Sequence, residues 1–344
     1  MRFVTKFWER GIMKENAKVQ GSARKKKTIL SEIWRARYLY LLLLPFLAWL
    51  IVFHYVPMGG IVMAFKDYKA RLGIFGSPWV GLKHFERIFV TPDAIESIKN
   101  TLSISAGRII WEFPLPIVLA IMITEMPGTK VKKVYQTIFT FPHFLSWIVV
   151  SSIMTSLFSS TGVVNTAIAG FGMEKIQFLG NPKFFRVMLY VTENWKEVGW
   201  GAIIYMAAIA GIDPTLYEAA SIDGATRLRQ IWHITLSCLK PTIAIMFILK
   251  IGGIMNAGFD QIFNMRNAVV KASSQILDTY VYDITFLATP NYGFSTAVGL
   301  FKAVINFILL TIANQTVGLL TGTKMFSFRR EKVKQEKPVK AKAE

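Results

Sequence analysis

Six long, mostly apolar stretches divide this chain, and they constrain its fold more than any other feature of the sequence. A helix needs about twenty apolar residues to cross a bilayer. The candidate spans lie at about 38–65, where the first ends near Pro57, and at 98–123, 134–158, 186–211, 240–262 and 295–320. The chain is 53% hydrophobic and 18% charged, which is too apolar for a soluble protein of this length. The sequence therefore predicts an all-α integral membrane protein with six transmembrane helices.

The net charge of +19 lies mainly at the two ends of the chain. Residues 1–37 hold eleven of the 40 Lys and Arg, and the tail from Lys324 holds eight more. Basic flanks of membrane spans remain in the cytosol, so both termini are predicted to be cytoplasmic, in agreement with an even number of spans. We divide the chain into a basic arm at 1–37, a six-span domain at 38–322 and a basic tail at 323–344. Membrane topology explains the charge, so no nucleic-acid partner is expected.

The basic arm itself has two interpretations. Phe3, Phe7 and Trp8 fall at helical spacing among basic residues, which is typical of a helix lying on an anionic inner leaflet. A disordered basic arm explains the same composition. The sequence leaves both open.

The segment 212–240 is more ordered than a connection between two spans requires. Asp213 and Pro214 provide a cap and a first-turn residue for a helix. Asp223 and Gly224 then predict a turn, because glycine accepts a positive φ. A second short helix follows, and Pro241 is expected to open the fifth span. Such a helix–turn–helix on the predicted cytosolic side implies a partner into which it docks.

This segment resembles the EAA loop of ABC-importer permeases. The resemblance lies in Glu218-Ala219-Ala220, Asp223-Gly224-Ala225, Ile231-Trp232, Ile234-Thr235-Leu236 and Lys240-Pro241. The family pattern usually ends in Leu-Pro, whereas this chain has Leu236-Ser237. We call residues 212–240 the EAA loop.

Further segments are similar to the sugar-type permeases of that family, in the branch that imports oligosaccharides and polysaccharide fragments. They are WVGLKHFERIF (79–89), NTL (100–102), FPHFLSWIVVSSI (141–153), GVVN (162–165), QIFNM (261–265), ILDTYVYD (276–283) and STAVGLFKAVINFILL (295–310). The resemblance covers roughly residues 38–322.

The resemblance implies a fold like that of type I ABC-importer permeases, in a bacterial cytoplasmic (inner) membrane. The partners it implies are a second homologous permease subunit, two ATP-binding subunits that carry ATP and Mg, an extracytoplasmic solute-binding protein and a sugar substrate. The pairing with the second permease is heterodimeric or homodimeric. Segments 66–97 and 263–294 would dock the binding protein. The residues expected to couple this chain to the ATPases are Glu218, Ala219, Ala220, Asp223, Gly224, Ala225 and Arg227.

Polar residues inside the spans are candidates for a translocation path, because charged groups at membrane depth are costly. Aromatic rings beside hydrogen-bonding groups suit a sugar, although Trp and charged residues are also ordinary at a membrane interface. Packing or hydrogen bonding between helices is the competing explanation for the polar residues of the last two spans. The candidate path residues are Glu193, Asn194, Trp195, Lys196, Asn256, Asp260 and Asn306. Arg108 and Glu112, four residues apart, are expected to pair with each other.

The sequence excludes several other functions. No metal-ligand cluster, phosphate-binding glycine loop or nucleophile elbow is present, so no catalytic residue, metal or cofactor is assigned to this chain. A secondary transporter would show inverted repeats with matching broken helices, and a membrane-embedded enzyme would cluster acids or histidines at one depth. Neither pattern is found, and both alternatives leave the EAA loop unexplained.

Overall fold

The computed structural model describes residue 34, residues 36–322 and residues 325–326. The predicted arm at 1–37 and tail at 323–344 therefore lie almost entirely outside the described residues. Within the described part the structure is helical without a strand, and one isolated bridge pairs Lys66 with Trp79. The described chain divides into two compact units, one ending at Ile61 and one beginning at Val62.

The first unit contains most of the first candidate span. Helix α1 (Arg37–Leu50) continues through a π-helical turn (Ile51–Tyr55) and a short α-helical turn (Val56–Met58). A 3-10 helix (Gly59–Phe65) then extends the span into the second unit. The prediction that the span ends near Pro57 is wrong. A wider π turn next to a proline accommodates its missing N–H, so the helix continues.

The second unit contains the other spans and their connections. The longer helices are α2 (Lys83–Val90), α3 (Pro92–Glu112), α4 (Pro114–Glu125), α5 (Thr129–Thr140), α6 (Trp147–Phe158), α7 (Val163–Gly170), α8 (Pro182–Ala210), α9 (Pro214–Ile222), α10 (Leu236–Gly252), α11 (Phe259–Met265), α12 (Leu277–Tyr282) and α13 (Tyr292–Thr321). Shorter helical segments are Gly73–Gly76, Phe141–Phe144, Arg227–Gln230, Ile231–Thr235, Ile254–Asn256, Lys271–Ser274 and Asp283–Leu287.

Five helical segments of the described chain are long and apolar enough to cross a membrane. They are Arg37–Phe65, Pro92–Glu125, Trp147–Gly170, Arg227–Gly252 and Tyr292–Thr321. A sixth is obtained if α8 and α9, which meet at an angle of 70°, are counted together. Helix α8 has 29 residues but carries Glu193, Lys196 and Glu197 near its middle, so it lacks the continuous apolar surface of a lipid-facing span.

The third candidate span, predicted at 134–158, is not one regular helix. Helix α5 ends at Thr140, and a 3-10 turn (Phe141–Phe144) containing Pro142 follows. Leu145 is extended, and the Ser146 side chain caps α6 by accepting a hydrogen bond from the Val149 N–H. The strongly apolar stretch therefore begins at Trp147 and includes α7, which the sequence prediction left out.

The fifth span also differs from its prediction at 240–262. Its helix runs without interruption from Arg227 to Gly252, with Pro241 inside it rather than at its start. A π-helical turn (Ile231–Thr235) ahead of Pro241 joins the expected short second helix to the span. The span then breaks at 253–258, where Ala257 and Gly258 adopt φ values of 40° and 76°. Residues 259–262 belong to the separate helix α11.

Two apolar clusters lie along α3, α4 and α8. One contains Ile104 and Leu189, and the other contains Ile117 and Ala202. Residues 105–116 of α3 and α4, and 190–201 of α8, lie between these clusters along the chain. Charged residues in these intervals are consequently enclosed by apolar packing on both sides.

Candidate functional site

The EAA loop begins with a helix that is fixed by its own first residues. Pro214 occupies the first turn of α9, and the Asp213 carboxylate accepts the Thr215 backbone N–H at 3.0 Å. This hydrogen bond holds the pKa of the Asp213 carboxyl below its ordinary value. Gly224 follows the helix with φ of +75°. The predicted cap and glycine turn are thus confirmed.

Side-chain hydrogen bonds hold α9 against the start of the fifth span. The buried Gln230 side chain donates to Ser221 Oγ at 2.9 Å. Tyr217 Oη and Thr235 Oγ1 lie 2.9 Å apart in a second hydrogen bond. Because the helix that carries Gln230 and Thr235 continues to Gly252, the EAA loop and the fifth span form one connected element.

Three large apolar side chains of this loop are largely exposed. Ile222, Leu228 and Trp232 are 87%, 67% and 63% exposed. Large apolar side chains exposed in this way are typical of a protein–protein contact. The predicted coupling residues Glu218, Ala219, Asp223, Gly224 and Arg227 are exposed, and Ala220 and Ala225 are half-buried. Arg227 Nη1 lies 3.7 Å from Glu125 Oε2.

A second candidate site lies midway along the spans, around Arg108. Arg108 Nε lies 3.6 Å from Glu112 Oε1, and Arg108 Nη1 lies 3.5 Å from Glu193 Oε2. Arg108 also donates to Gln261 Oε1, and Gln261 Nε2 in turn donates to Leu189 O and Thr192 Oγ1, each at 2.8 Å. The guanidinium therefore joins the second and fourth spans to α11.

Lys250 completes this arrangement from the fifth span. Its Nζ donates to Glu112 Oε2 at 2.9 Å. We call Arg108, Glu112, Glu193, Lys250 and Gln261 the charged cluster. The Lys250 side chain is 39% exposed, whereas Arg108 and Glu112 are each 7% exposed. Lys250 is thus the accessible cation of the cluster.

Two cavities border the charged cluster. The main cavity, of about 310 Å³, is lined by Glu112, Glu193, Asn194, Glu197 and Lys250, with Phe113, Pro116, Val198, Trp200, Gly201, Tyr205 and Met246. The second cavity, of about 190 Å³, is lined by Arg108, Asn256 and Lys250, with Ser105, Ile109, Leu249, Gly253, Ile254, Ala257 and Gly258. Lys250 belongs to both linings. The two cavities combine aromatic, amide and charged groups.

The predicted path residues fall in different places. Glu193 and Asn194 line the main cavity, and Asn256 lines the second cavity. Trp195 instead borders a separate, apolar groove with Met154 and Val191, so it is not brought to either cavity.

The remaining path candidates have contacts of their own. Lys196 is buried and donates to His143 O and Glu197 Oε1, both at 2.8 Å. Asn306 Oδ1 accepts the Met255 N–H at 3.1 Å, which supports the break in the fifth span. Asp260 is exposed and lines neither of the two cavities.

Sequence reasoning named three members of the charged cluster, Arg108, Glu112 and Glu193, but did not bring them together, and it missed the other two. It paired Arg108 with Glu112, and that pair exists, but both side chains also contact other spans. It did not propose Lys250 or Gln261 as site residues. The available signal was an ionisable residue inside an apolar stretch, which by itself indicates a functional position. Within the described residues, no group of three or more His, Cys, Asp or Glu is placed to hold a metal ion.

The segments predicted to dock a binding protein contain an ion pair and border a cavity. Arg266 forms two hydrogen bonds to the Asp283 carboxylate, at 2.7 and 3.0 Å. A cavity of about 470 Å³ opens beside α2, lined by Asp67, Val80, Lys83, His84, Glu86, Arg87, Val90 and Asn291. Charged residues of both signs are available there for a polar partner.

Comparison with known proteins identifies similar chains. A model of the family described as binding-protein-dependent transport system inner membrane component matches residues 114–316. The polygalacturonan/rhamnogalacturonan transport system permease protein YteP of Bacillus subtilis (strain 168) is 45% identical over 292 residues, which are 85% of this chain and 91% of that protein. Protein LplB of the same organism is 42% identical over 281 residues, 81% of this chain and 88% of LplB.

Two solved structures share the fold. One is a bacterial ABC transporter involved in the import of the acidic polysaccharide alginate, with a TM-score of 0.78 and 37% identity over 85% of this chain and 99% of the matched chain. The other is a bacterial alginate ABC transporter in complex with an alginate pentasaccharide-bound periplasmic protein. It has a TM-score of 0.78 and 36% identity, covering 86% of this chain and 99% of the matched chain.

Proposed function

This chain belongs to the family of binding-protein-dependent transport system inner membrane components, and from that premise we propose that it carries a fragment of an acidic polysaccharide across the membrane. The chain is a multi-pass inner-membrane protein and a transport subunit rather than an enzyme. The observation that carries the proposal is the alginate importer, whose subunit matches 85% of this chain at 37% identity.

The charged cluster supports an acidic substrate. A sugar acid presents hydroxyls, apolar C–H patches and a carboxylate. The main cavity offers Asn194 for hydrogen bonding, Trp200 and Tyr205 for apolar contact and Lys250 for the carboxylate. A transport site has to release what it binds, so a few contacts of moderate strength in an open cavity are suitable.

The EAA loop would couple this chain to ATP-binding subunits. Its exposed apolar surface at Ile222, Leu228 and Trp232 suits a groove in a partner protein. Residues Glu218, Ala219, Ala220, Asp223, Gly224, Ala225 and Arg227 are the proposed coupling residues. ATP and Mg would be bound by two such subunits, and this chain would have no cofactor of its own.

The complete importer would contain further partners. We include a second homologous permease and an extracytoplasmic solute-binding protein, consistent with the periplasmic protein bound to the alginate transporter. The segments 66–97 and 263–294 would receive the binding protein, and both termini would lie in the cytoplasm. The path residues Glu193, Asn194 and Asn256 would contact the sugar as it crosses.

Reconstitution tests this function directly. The chain is purified with its second permease and ATPases, inserted into liposomes and supplied with its binding protein. ATP-dependent uptake of trigalacturonate is expected to exceed uptake of a neutral trisaccharide. Uptake of neutral sugars alone would overturn the acidic substrate class, and uptake without ATP would overturn the importer assignment.

A further inference from the structure

We propose that Lys250 selects acidic substrates by exchanging its carboxylate partner: Glu112 in the empty cavity and a carboxylate of the sugar during transport. The inference rests on the proposed function, since it requires an acidic saccharide in the main cavity. To that function the inference adds the identity of the residue that distinguishes an acidic sugar from a neutral sugar of the same shape.

The position of Lys250 is the first argument. Within the described chain, Lys250 is the one cationic residue that lines the main cavity, and it also lines the second cavity. Lys196 lies on the same helix as Glu193 but is buried, directed to His143 O and Glu197, and absent from both linings. An anionic group that enters the main cavity therefore meets Lys250 as its available cation.

The difference between Lys250 and Arg108 is the second argument. Arg108 contacts Glu112, Glu193 and Gln261, and it packs against Gly258 so closely that a Cβ at position 258 would collide with the guanidinium. Reorienting Arg108 would break several contacts in a buried environment. Among the described residues, Lys250 has one ion-pair partner, and it has a flexible stem and a 39% exposed side chain. It is the cation of the cluster that is free to change partner.

The charge balance after exchange is the third argument. Arg108, Lys250, Glu112 and Glu193 contribute two positive and two negative charges. When Lys250 turns to a substrate carboxylate, Glu112 keeps the Arg108 contact at 3.6 Å. Glu193 also remains paired with Arg108, and Glu197 with Lys196 and His143. Glu112 and Glu193 each keep an ion-pair contact with Arg108, but three carboxylates then share two cations, so the exchange costs free energy and binding of the acid stays weak.

This arrangement predicts weak but selective binding. A neutral sugar lacks the group that replaces Glu112, so Lys250 stays with Glu112 and contributes little to its binding. An acidic sugar gains a charge-assisted hydrogen bond and loses it again when Glu112 recaptures the lysine. The competition by Glu112 keeps the acidic sugar from binding too tightly for release.

The decisive measurement is the preference for an acid over its neutral ester. The assembled permease–ATPase complex is placed in nanodiscs without the binding protein, so that the permease cavity alone discriminates. Ligand-observed NMR then measures the affinities of trigalacturonate and of its fully methyl-esterified form. Lys250→Gln should lower the affinity for the acid by roughly tenfold and leave the affinity for the ester unchanged. Lys250→Arg should retain most of the preference for the acid.

Lys302→Gln is the matched control. Lys302 is also an ion-paired lysine of a span, with its Nζ 2.6 Å from Asp278 Oδ1, but it lines neither cavity. Its replacement should leave the ratio of the two affinities as in the unmutated complex. A change of that ratio in Lys302→Gln as large as in Lys250→Gln would overturn the proposal, because the effect would then come from any lost ion pair.

Other outcomes separate this proposal from the function on which it rests. If the unmutated complex takes up trigalacturonate but Lys250→Gln keeps the full preference for the acid, the exchange is overturned and the function stands. Equal losses for acid and ester in Lys250→Gln would also overturn it, because the lysine would then only support the fold. If the unmutated complex neither binds nor transports the acid, both the substrate class and the exchange are overturned.

Discussion

The EAA loop and the charged cluster are built in opposite ways. The loop is shaped by residues close together in the sequence, such as Asp213 with Thr215 and Ser221 with Gln230. The cluster joins residues 138 and 153 positions apart, Glu112 with Lys250 and Arg108 with Gln261. The loop exposes its key side chains, whereas the cluster buries most of its charges. An element stabilised locally, such as the loop, can present a surface to a partner. The contacts of the cluster form only when the spans are in a particular arrangement.

The largest expected difference between the two regions is in stability. Arg108→Met leaves Glu193 without its cation in a buried site, which should cost roughly 3–5 kcal/mol. Arg227→Met removes the corresponding contact of the EAA loop, where Arg227 is 81% exposed, and should cost about 0–1 kcal/mol. Thermal unfolding of the purified complex measures both. Equal shifts in melting temperature would show that the cluster is no more buried in the membrane than the loop.

Backbone strain at a positive-φ glycine should impair coupling only when the glycine lies in the EAA loop. Gly224 and Gly172 have φ values of 75° and 76°, with open space around each Cβ position. Valine at either position costs roughly 1–3 kcal/mol of local strain. Gly224→Val should abolish most substrate-stimulated ATPase activity and leave sugar binding intact, because it distorts the proposed coupling surface. Gly172→Val is the matched control and should retain coupled transport; equal losses in both variants would remove the coupling role of the turn.

Neighbouring residues on α8 test the extent of the path. The sequence alone predicts that Trp195→Ala reduces sugar transport. The structure predicts near-normal transport for this variant, because Trp195 borders the apolar groove, and a roughly fivefold loss for Asn194→Ala, which removes a polar group from the main cavity. Uptake assays on both variants compare them. A larger loss in Trp195→Ala would place the path along the groove.

The prediction with the smallest expected effect concerns the labelling of Cys238, which should leave function unchanged. Cys238 is exposed and lies near the end of the EAA loop. An impermeant maleimide should modify it in inside-out vesicles but not in right-side-out vesicles. In a Cys238→Ser background, Gly76→Cys should show the opposite pattern. Labelling of Cys238 from outside would invert the proposed orientation of loop and termini.

The contrast between the regions also explains what the sequence could predict. The cap at Asp213 and the turn at Gly224 act within a few residues, so the helix and turn of the EAA loop could be predicted, and the family assignment made from the loop is confirmed. Its second helix begins where expected, at Arg227, but the expected start of the fifth span at Pro241 is wrong, because the helix continues through a π-helical turn into the span.

Long-range features could not be predicted in the same way. The apolar stretches could be identified in the sequence. The break at 253–258, however, depends on Asn306 of another span, which accepts a hydrogen bond from the Met255 N–H. Likewise, the side of α8 that faces a cavity depends on how α4 and α10 pack against it. Asn194 and Trp195 are adjacent in sequence but line different surfaces. Composition alone could not show that they belong to separate sites.

The unbroken helix from Arg227 to Gly252 has a mechanical consequence. Its 26 residues extend about 39 Å at the usual rise per residue, with the EAA loop at one end and Lys250 near the other. A tilt of about 5° around the loop end would displace the far end by about 3 Å. The Lys250–Glu112 contact of 2.9 Å does not survive such a displacement unless Glu112 follows. A small rotation of the loop end would therefore be amplified along this helix and would open an ion pair at its far end, midway along the spans.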